Sequence, residues 1–274
     1  MRRLLPLVCL GALLALPATA SATDETVESG AVRATFSYSC NESGFECSNL
    51  RLRITRAGLT AYDEPVRFGK ETTLVPGRRG EKSVLLRQLD PDSEPEVLLD
   101  LYTGGAHCCL LSNVYDFRDG AYIRVGKRWN DPGYVLRNLD GRGRPEFRSA
   151  DPRFASLYTS FAESRMPIQI WRFQGGGFRA VTRSFPNTVR RDRDRHLRFY
   201  RTLRREKADV RGALAAYQAD NYLLGRSTAA RGWRVLRRLA DQGKIKRPSS
   251  ATGPSGRAYL RSLQRVLRRF GYTR

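Results

Sequence analysis

An internal repeat is the feature that most constrains the fold of this chain. Residues 88–96 read QLDPDSEPE and residues 138–146 read NLDGRGRPE. A second match follows in the same order, with YDFRDGAY at 115–122 and WRFQGGGF at 171–178. Each copy has the order acidic turn, strand, strand, glycine hairpin, strand, which is typical of a propeller blade or a duplicated β-meander. Because a closed propeller needs at least four blades, two clear copies favour a compact sheet or sandwich.

The first residues have the pattern of a secretory signal peptide. Arg2 and Arg3 precede an apolar run over residues 4–16, and Ala18 and Ala20 form an A-x-A cleavage site. The run is shorter than the roughly 20 apolar residues that a membrane-spanning helix needs. We therefore predict a signal peptide over residues 1–20, a secreted or extracytoplasmic protein, and no transmembrane segment in the mature chain.

The residue pattern changes at position 186. Residues 21–185 contain short runs rich in β-branched and aromatic residues, separated by turn signals, whereas apolar residues recur at helical spacing from 186 onward. This predicts an α+β protein with an N-terminal antiparallel β-domain over 21–185, built on a degenerate two-unit propeller-blade-like repeat. A cationic α-helical domain follows over 186–274. The predicted strands are 32–38, 50–55, 84–86, 97–102, 114–117, 122–125, 168–173 and 178–181.

Four cysteines remain once the signal peptide is removed, an even number that suits an oxidising compartment. Cys40 and Cys47 flank a polar turn, and this spacing favours a local disulfide bond. That pairing leaves Cys108 and Cys109 to bond to each other or to stay reduced, while cross-pairing between the two segments is the alternative. A vicinal disulfide is more easily reduced than an ordinary one, which would allow a redox role.

The two histidines, His107 and His196, limit the choice of catalytic site. An enzyme hypothesis centres on His107 with Cys108 and Cys109, as an extracytoplasmic thiol-redox or hydrolytic site. The three residues lack the spaced ligand pairs of a zinc site, and catalytic partners normally meet through the fold, so a structural turn is favoured. His196 lies in an arginine-rich stretch and is expected to be a solvated helix residue.

The positive charge is concentrated in the helical part. The chain has a formal net charge of +22, and residues 187–274 hold 24 Lys+Arg against 6 Asp+Glu. Such a density predicts an anionic partner, such as lipid headgroups, wall polymers or acidic polysaccharides. Sequence-specific nucleic acid is disfavoured because the chain has no base-reading motif. The candidate polyanion-binding residues are Arg198, Arg201, Arg204, Arg205, Arg261, Arg265 and Arg268.

The acidic turns resemble the FG-GAP or VCBS-type repeats of secreted bacterial proteins, in which x-Leu-Asp-Gly-Asp-Gly-x-Pro-Glu precedes a hydrophobic strand. The resemblance covers roughly residues 83–182, and residues 100–109 also look like a stretch of uncharacterised exported actinobacterial proteins. It implies calcium held by oxygen atoms of the acidic turn. In the first copy the implied ligands are Gln88, Asp90, Asp92 and Glu96.

In the second copy the implied ligand positions fall on Asn138, Asp140, Arg142 and Glu146. Because Arg142 replaces a carboxylate, we expect its guanidinium to bridge Asp140 and Glu146 in place of a cation. The sequence thus predicts one weak calcium site at most, and an acidic hairpin without metal is the alternative.

Together these features predict a secreted, non-enzymatic binding module. Its cationic helical tail would be directed at anionic cell-envelope or extracellular polymers.

Overall fold

The computed structural model describes residues 21–77, 82–104, 108–249 and 251–273. The predicted signal peptide and His107 lie outside these residues. Antiparallel sheets come first and four α-helices follow. The α+β class is therefore confirmed, while the blade-like nature of the repeat stays a prediction.

Three antiparallel sheets form the N-terminal part, each built from strands that are neighbours in sequence. The first contains β1 (Ser21–Ser29), β2 (Val32–Cys40), β3 (Cys47–Arg56) and β4 (Leu59–Pro65). The second contains β5 (Val75–Pro76), β6 (Val84–Arg87), β7 (Glu96–Tyr102), β8 (Leu110–Arg118) and β9 (Ala121–Asn130). The third contains β10 (Val135–Arg137), β11 (Glu146–Ala150), β12 (Ile168–Phe173) and β13 (Phe178–Ala180).

Every predicted strand run falls on an observed strand, and the strands that the pattern missed are polar or short. β1 is the clearest case, because its sequence SATDETVES carries little apolar signal. It pairs along its whole length with β2, and Tyr38 of β2 donates a hydrogen bond of 2.9 Å to Glu25 of β1. Pairing with an apolar neighbour strand, rather than intrinsic propensity, accounts for this strand.

An aromatic core joins the second and third sheets. Trp129 of β9 stacks on Phe147 of β11 with ring centroids 5.2 Å apart, and Phe178 packs edge-on against both. Trp129 also donates a hydrogen bond of 2.8 Å to Ser112, so its polar atom is paired inside the core. A separate hydrophobic core lies between the first two sheets and includes Phe36, Leu52, Leu99 and Leu111.

The helices are α1 (Pro186–Arg205), α2 (Arg211–Leu223), α3 (Arg226–Asp241) and α4 (Gly256–Arg269). Their core also receives Phe154, Leu157 and Met166, which precede the third strand of the third sheet in the chain. The predicted domain boundary at residue 186 stays a prediction. Within the described part of the chain, no helix has the length and apolar character needed to cross a membrane.

Candidate functional site

Two adjoining surface clefts, which we call together the basic cleft, lie at the C-terminal end of α1. One has a volume of about 570 Å³ and the other about 670 Å³, and Arg204 lines both. Among the residues that the structure describes, no carboxylate lines either cleft. The cationic lining residues are Arg198, Arg201, Arg204, Arg205, Lys207, Lys244, Lys246 and Arg247.

Two helix ends build the basic cleft. After α1, the Ala208 N–H donates to the Leu203 carbonyl at 2.9 Å, and Lys207 has a left-handed φ of 56°. After α3, the Lys244 N–H donates to the Leu239 carbonyl at 2.8 Å, and Gly243 is left-handed with φ 64°. Both ends therefore have the Schellman geometry, in which glycine is the usual left-handed residue. Lys207 stands where glycine would be unstrained.

The loop after α3 holds its lysines at the surface by burying the residue between them. Ile245 is buried in the helical core, and its carbonyl accepts a hydrogen bond of 3.0 Å from the Gly256 N–H. Lys244 and Lys246 flank this anchor and line the cleft. Their charges also lie close to the negative end of the α3 macrodipole, which favours cations at this position.

The cations of the basic cleft have no carboxylate partner among the residues that the structure describes. Further back along α1, in contrast, Arg193 pairs with Asp194 at 2.7 Å and Arg195 pairs with Asp192. The charge is therefore partly compensated in the N-terminal half of α1, whereas the cleft arginines of its C-terminal half have no carboxylate partner in the described chain.

The sequence predicted four of the eight cationic residues that line the basic cleft. The structure brings Arg198, Arg201, Arg204 and Arg205 together, as helical spacing on α1 requires. The predicted arginines of α4, which are Arg261, Arg265 and Arg268, are exposed but line neither cleft. The lysines were missed, although half of the chain's six lysines line this one surface and lysine is rare in an arginine-rich sequence.

The first acidic turn gathers four carboxylates. Oxygen atoms of Asp90, Asp92, Glu96 and Asp116 lie within 4.8 Å of one another. Gln88 is positioned differently from the predicted ligand role, because its amide donates to the main-chain carbonyls of Asp90 and Asp92 and braces the turn. Asp116 was missed because it lies on β8, some twenty residues beyond the turn.

Glu96 is the least compensated group of this turn. Its Oε2 accepts a hydrogen bond of 2.6 Å from the Leu89 N–H, but its buried Oε1 has no hydrogen-bond partner in the described chain. Burial raises the pKa of Glu96 to about 8, and the charges of Asp90 and Asp92 add to the effect. Arg118 contacts Asp90 at 3.1 Å and Asp116 at 2.6 Å, so one cation faces four carboxyl groups.

The second acidic turn has the same backbone but different charges. The Leu139 N–H donates to Glu146 at 2.9 Å, as Leu89 does to Glu96. Here Arg172 contacts Glu146 and also Asp140, the latter at 2.8 Å. The prediction that Arg142 makes this bridge is wrong: only its main-chain N–H contacts Asp140. Arg172 occupies the position of Asp116 in the first copy, so a guanidinium replaces a carboxylate there.

The cysteines pair locally. The structure bonds Cys40 to Cys47 across the β2–β3 hairpin, with Cα atoms 4.1 Å apart, and bonds Cys108 to Cys109. Cys109 is buried, and its main-chain N–H donates to Thr103 at 3.0 Å. The enzyme hypothesis rests on His107, which lies outside the described residues, so it stays a prediction.

His196 is not a solvated residue, and that expectation is wrong. It is 3% exposed and lies between α1 and α2, with Nε2 3.0 Å from the Oδ2 of Asp192. Burial lowers its pKa to about 3. The arginine-rich sequence around it hid the inward-facing position, because only the spacing with buried Val189 and Tyr200 identifies this face of the helix.

Comparisons with known proteins give two uncharacterised relatives. The chain is 30% identical over 173 residues to a probable thylakoid lumen protein of Synechocystis, an alignment that covers 58% of this chain and 48% of the relative. It is 27% identical over 148 residues to an uncharacterized protein of Sinorhizobium fredii, covering 53% of this chain and 23% of that protein. The chain thus spans about half or less of the length of these relatives. No protein-family profile and no solved structure matches it.

Proposed function

We propose that this chain is an extracytoplasmic, non-enzymatic binding module whose basic cleft binds an anionic polymer of the cell envelope or its surroundings. The signal-peptide pattern, the paired cysteines and the similarity to a protein named for the thylakoid lumen support the compartment. The observation that carries the binding role is the convergence of eight cations, without a lining carboxylate, on two adjoining concavities.

Electrostatics favours a polymer over a single small anion at this surface. Like charges around a concave site reinforce one another's field and attract counterions. Each exposed ion pair stabilises a complex by only about 0–1 kcal/mol, so a ligand must contact several cations at once to bind well. A polymer with repeated negative groups can do this, and its affinity then falls steeply as salt screens the contacts.

Heparin chromatography in a salt gradient tests this proposal with two matched variants. The first carries Lys207→Gln, Lys244→Gln and Lys246→Gln in the cleft, and the second carries Arg261→Gln, Arg265→Gln and Arg268→Gln on α4. Each loses three charges, but only the first alters the cleft. We expect the cleft variant to elute at clearly lower salt than both the wild type and the α4 variant. Equal shifts for both variants would show that only total charge matters.

We also propose that the first acidic turn binds one Ca²⁺ ion, as the resemblance to FG-GAP or VCBS-type repeats implies. The four clustered carboxylates and the unpartnered Oε1 of Glu96 support it. Asp90, Asp92, Glu96 and Asp116 would supply hard oxygen ligands, and main-chain carbonyls and water would complete the six to eight that calcium takes. The second turn needs no ion because Arg172 already provides a cation there.

Thermal unfolding with calcium and with a chelator tests the calcium site. We expect calcium to raise the Tm of the wild type, and the Asp116→Asn variant to lose most of that rise because it removes a ligand charge. The Asp140→Asn variant, altered in the second turn, serves as the control and should respond like the wild type. A Tm that calcium leaves unchanged would rule the site out.

A further inference from the structure

Three buried polar side chains meet where α1 packs against α2. Asp192 and His196 belong to α1 and Asp220 belongs to α2, and each is at most 3% exposed. His196 Nε2 lies 3.0 Å from Asp192 Oδ2 and 3.6 Å from Asp220 Oδ2. The three ligand atoms lie within 4.8 Å of one another. The spacing of four residues puts Asp192 and His196 on the same face of α1.

Asp220 is a buried carboxylate whose hydrogen-bonding capacity is unmet in the part of the chain that the structure describes. Neither of its carboxylate oxygens has a hydrogen-bond partner in the described part of the chain, and neither has Nδ1 of His196. Buried polar groups are otherwise nearly always paired, and an unpaired carboxylate at this depth is costly. Burial raises the pKa of Asp220 well above its usual value, and the main chain of Ile168 and the charges of Arg195 and Arg193 lower it by less.

The surrounding arginines do not fill this need. Arg195 donates to the other oxygen of Asp192, and Arg193 pairs with Asp194 at 2.7 Å. Arg165, on the loop before β12, disfavours a charged His196, as Arg195 does. These contacts leave Asp220 without a hydrogen-bonded arginine among the described residues, and a cation at the centre of the cluster would balance Asp192 and Asp220 together.

The geometry matches the coordination sphere of a small divalent ion. Two ligand atoms that each lie about 2.0–2.1 Å from a tetrahedral zinc ion are about 3.3 Å apart. The two distances from His196 Nε2, 3.0 Å and 3.6 Å, lie on either side of that value. One imidazole nitrogen with two carboxylates suits zinc or another transition metal, whereas calcium takes six to eight oxygens.

We propose that Asp192, His196 and Asp220 bind one divalent transition-metal ion, with zinc as the best fit, and that the ion fixes α1 against α2. The two carboxylates balance its charge. Arg195 holds Asp192 from outside the coordination sphere, as hydrogen-bonded partners of metal ligands commonly do. The site is separate from the acidic turns, and it fixes the helix whose C-terminal half lines the basic cleft.

Metal binding to the purified, chelator-treated protein tests the site. Calorimetry with Zn²⁺ should give one ion per chain, and Co²⁺ should give the visible absorption of a tetrahedral complex. The Asp220→Asn variant keeps the size of the side chain and removes its charge. We expect it to weaken zinc binding by at least about 100-fold, since changes even to outer partners of metal ligands cost about 10–100-fold. His107→Gln, which alters the other histidine, should bind like the wild type.

Folding and metal binding can be told apart in this experiment. Without metal, Asp220→Asn should have a Tm equal to or above that of the wild type, because it buries no charge, so a loss of zinc binding cannot be attributed to misfolding. Equal zinc binding by the wild type and Asp220→Asn would overturn the proposal. A wild type that binds no zinc would overturn it as well.

Discussion

Arg172, whose side chain is partly exposed, forms an ion pair with the buried Glu146 at the second acidic turn, and its Nε and Nη2 both donate to Oε1 of Glu146. The corresponding Oε1 of Glu96 in the first turn has no hydrogen-bond partner among the described residues. The two turns share a backbone and differ in charge, because the β-strand beside them carries Asp116 in one copy and Arg172 in the other. Duplicated local sequence has thus produced two different electrostatic sites.

Removing the guanidinium of Arg172 should destabilise the protein strongly. Glu146 is fully buried, so the Arg172→Met variant leaves an uncompensated carboxylate inside the protein. We expect a loss of about 3 kcal/mol in the free energy of unfolding, measured by urea denaturation. Arg142→Gln is the control, because the Arg142 side chain makes no such bridge, and its effect should stay within about 0.5 kcal/mol. A larger loss of unfolding free energy for Arg142→Gln than for Arg172→Met would instead show that Arg142 is the bridging residue.

Replacing Lys207 by glycine should separate stability from binding. A left-handed backbone costs a non-glycine residue roughly 1 kcal/mol, so Lys207→Gly should raise the free energy of unfolding by about that amount. It should also lower the salt concentration at which the protein elutes from heparin. Ala57, with φ 47° on an exposed turn, provides the control: Ala57→Gly should stabilise without changing elution. Unchanged elution of Lys207→Gly would count against the basic cleft.

Lys127 should make stability depend on pH in the alkaline range. Its ammonium group lies 3.2 Å from the centre of the Trp171 ring, and burial lowers its pKa from 10.5 to about 8. A base with a lowered pKa in the folded state stabilises the protein fully above its unfolded pKa, and the contribution is lost as pH falls toward 8. The free energy of unfolding of the wild type, measured relative to that of Lys127→Met, should therefore rise between pH 8 and pH 10.5. A constant difference would contradict the lowered pKa.

Gly232 should not tolerate a methyl group. A Cβ there would lie 2.2 Å from the Oε1 of Gln218, whose Nε2 already donates to the Ala229 carbonyl at 3.1 Å. We expect Gly232→Ala to cost about 1–3 kcal/mol despite the better helix propensity of alanine. Gly177→Ala has free space around it and should be close to neutral in chemical denaturation. A neutral Gly232→Ala would show that α2 and α3 can separate slightly without loss.

Thiol titration should find no free cysteine among the four that follow the predicted signal peptide. All four remaining cysteines are paired, so the denatured protein should show no reactive thiol before reduction and four afterwards. Two reactive thiols before reduction would instead support the thiol-enzyme hypothesis for Cys108 and Cys109.

The sequence by itself determined what depends on near neighbours. Short runs rich in β-branched and aromatic residues located strands such as β7 and β12, helical spacing predicted a helical part from residue 186 onward, and the seven-residue separation of Cys40 and Cys47 favoured their local bond. The residue pattern did not predict strands such as β1, whose sequence is polar, because their stability comes from pairing with another strand. Local patterns cannot carry information about a partner elsewhere in the chain.

Only the tertiary structure decided the sites. Lys207 and Lys244 are distant in sequence and meet because two helices end beside each other; Asp116 reaches an acidic turn from a neighbouring strand. The sequence predicted a solvated His196 because arginines surround it, whereas the packing of α2 against α1 buries it beside Asp220. Electrostatic interactions act through space and become stronger as water is excluded. Their energy therefore depends on distance and burial, which a linear sequence does not specify.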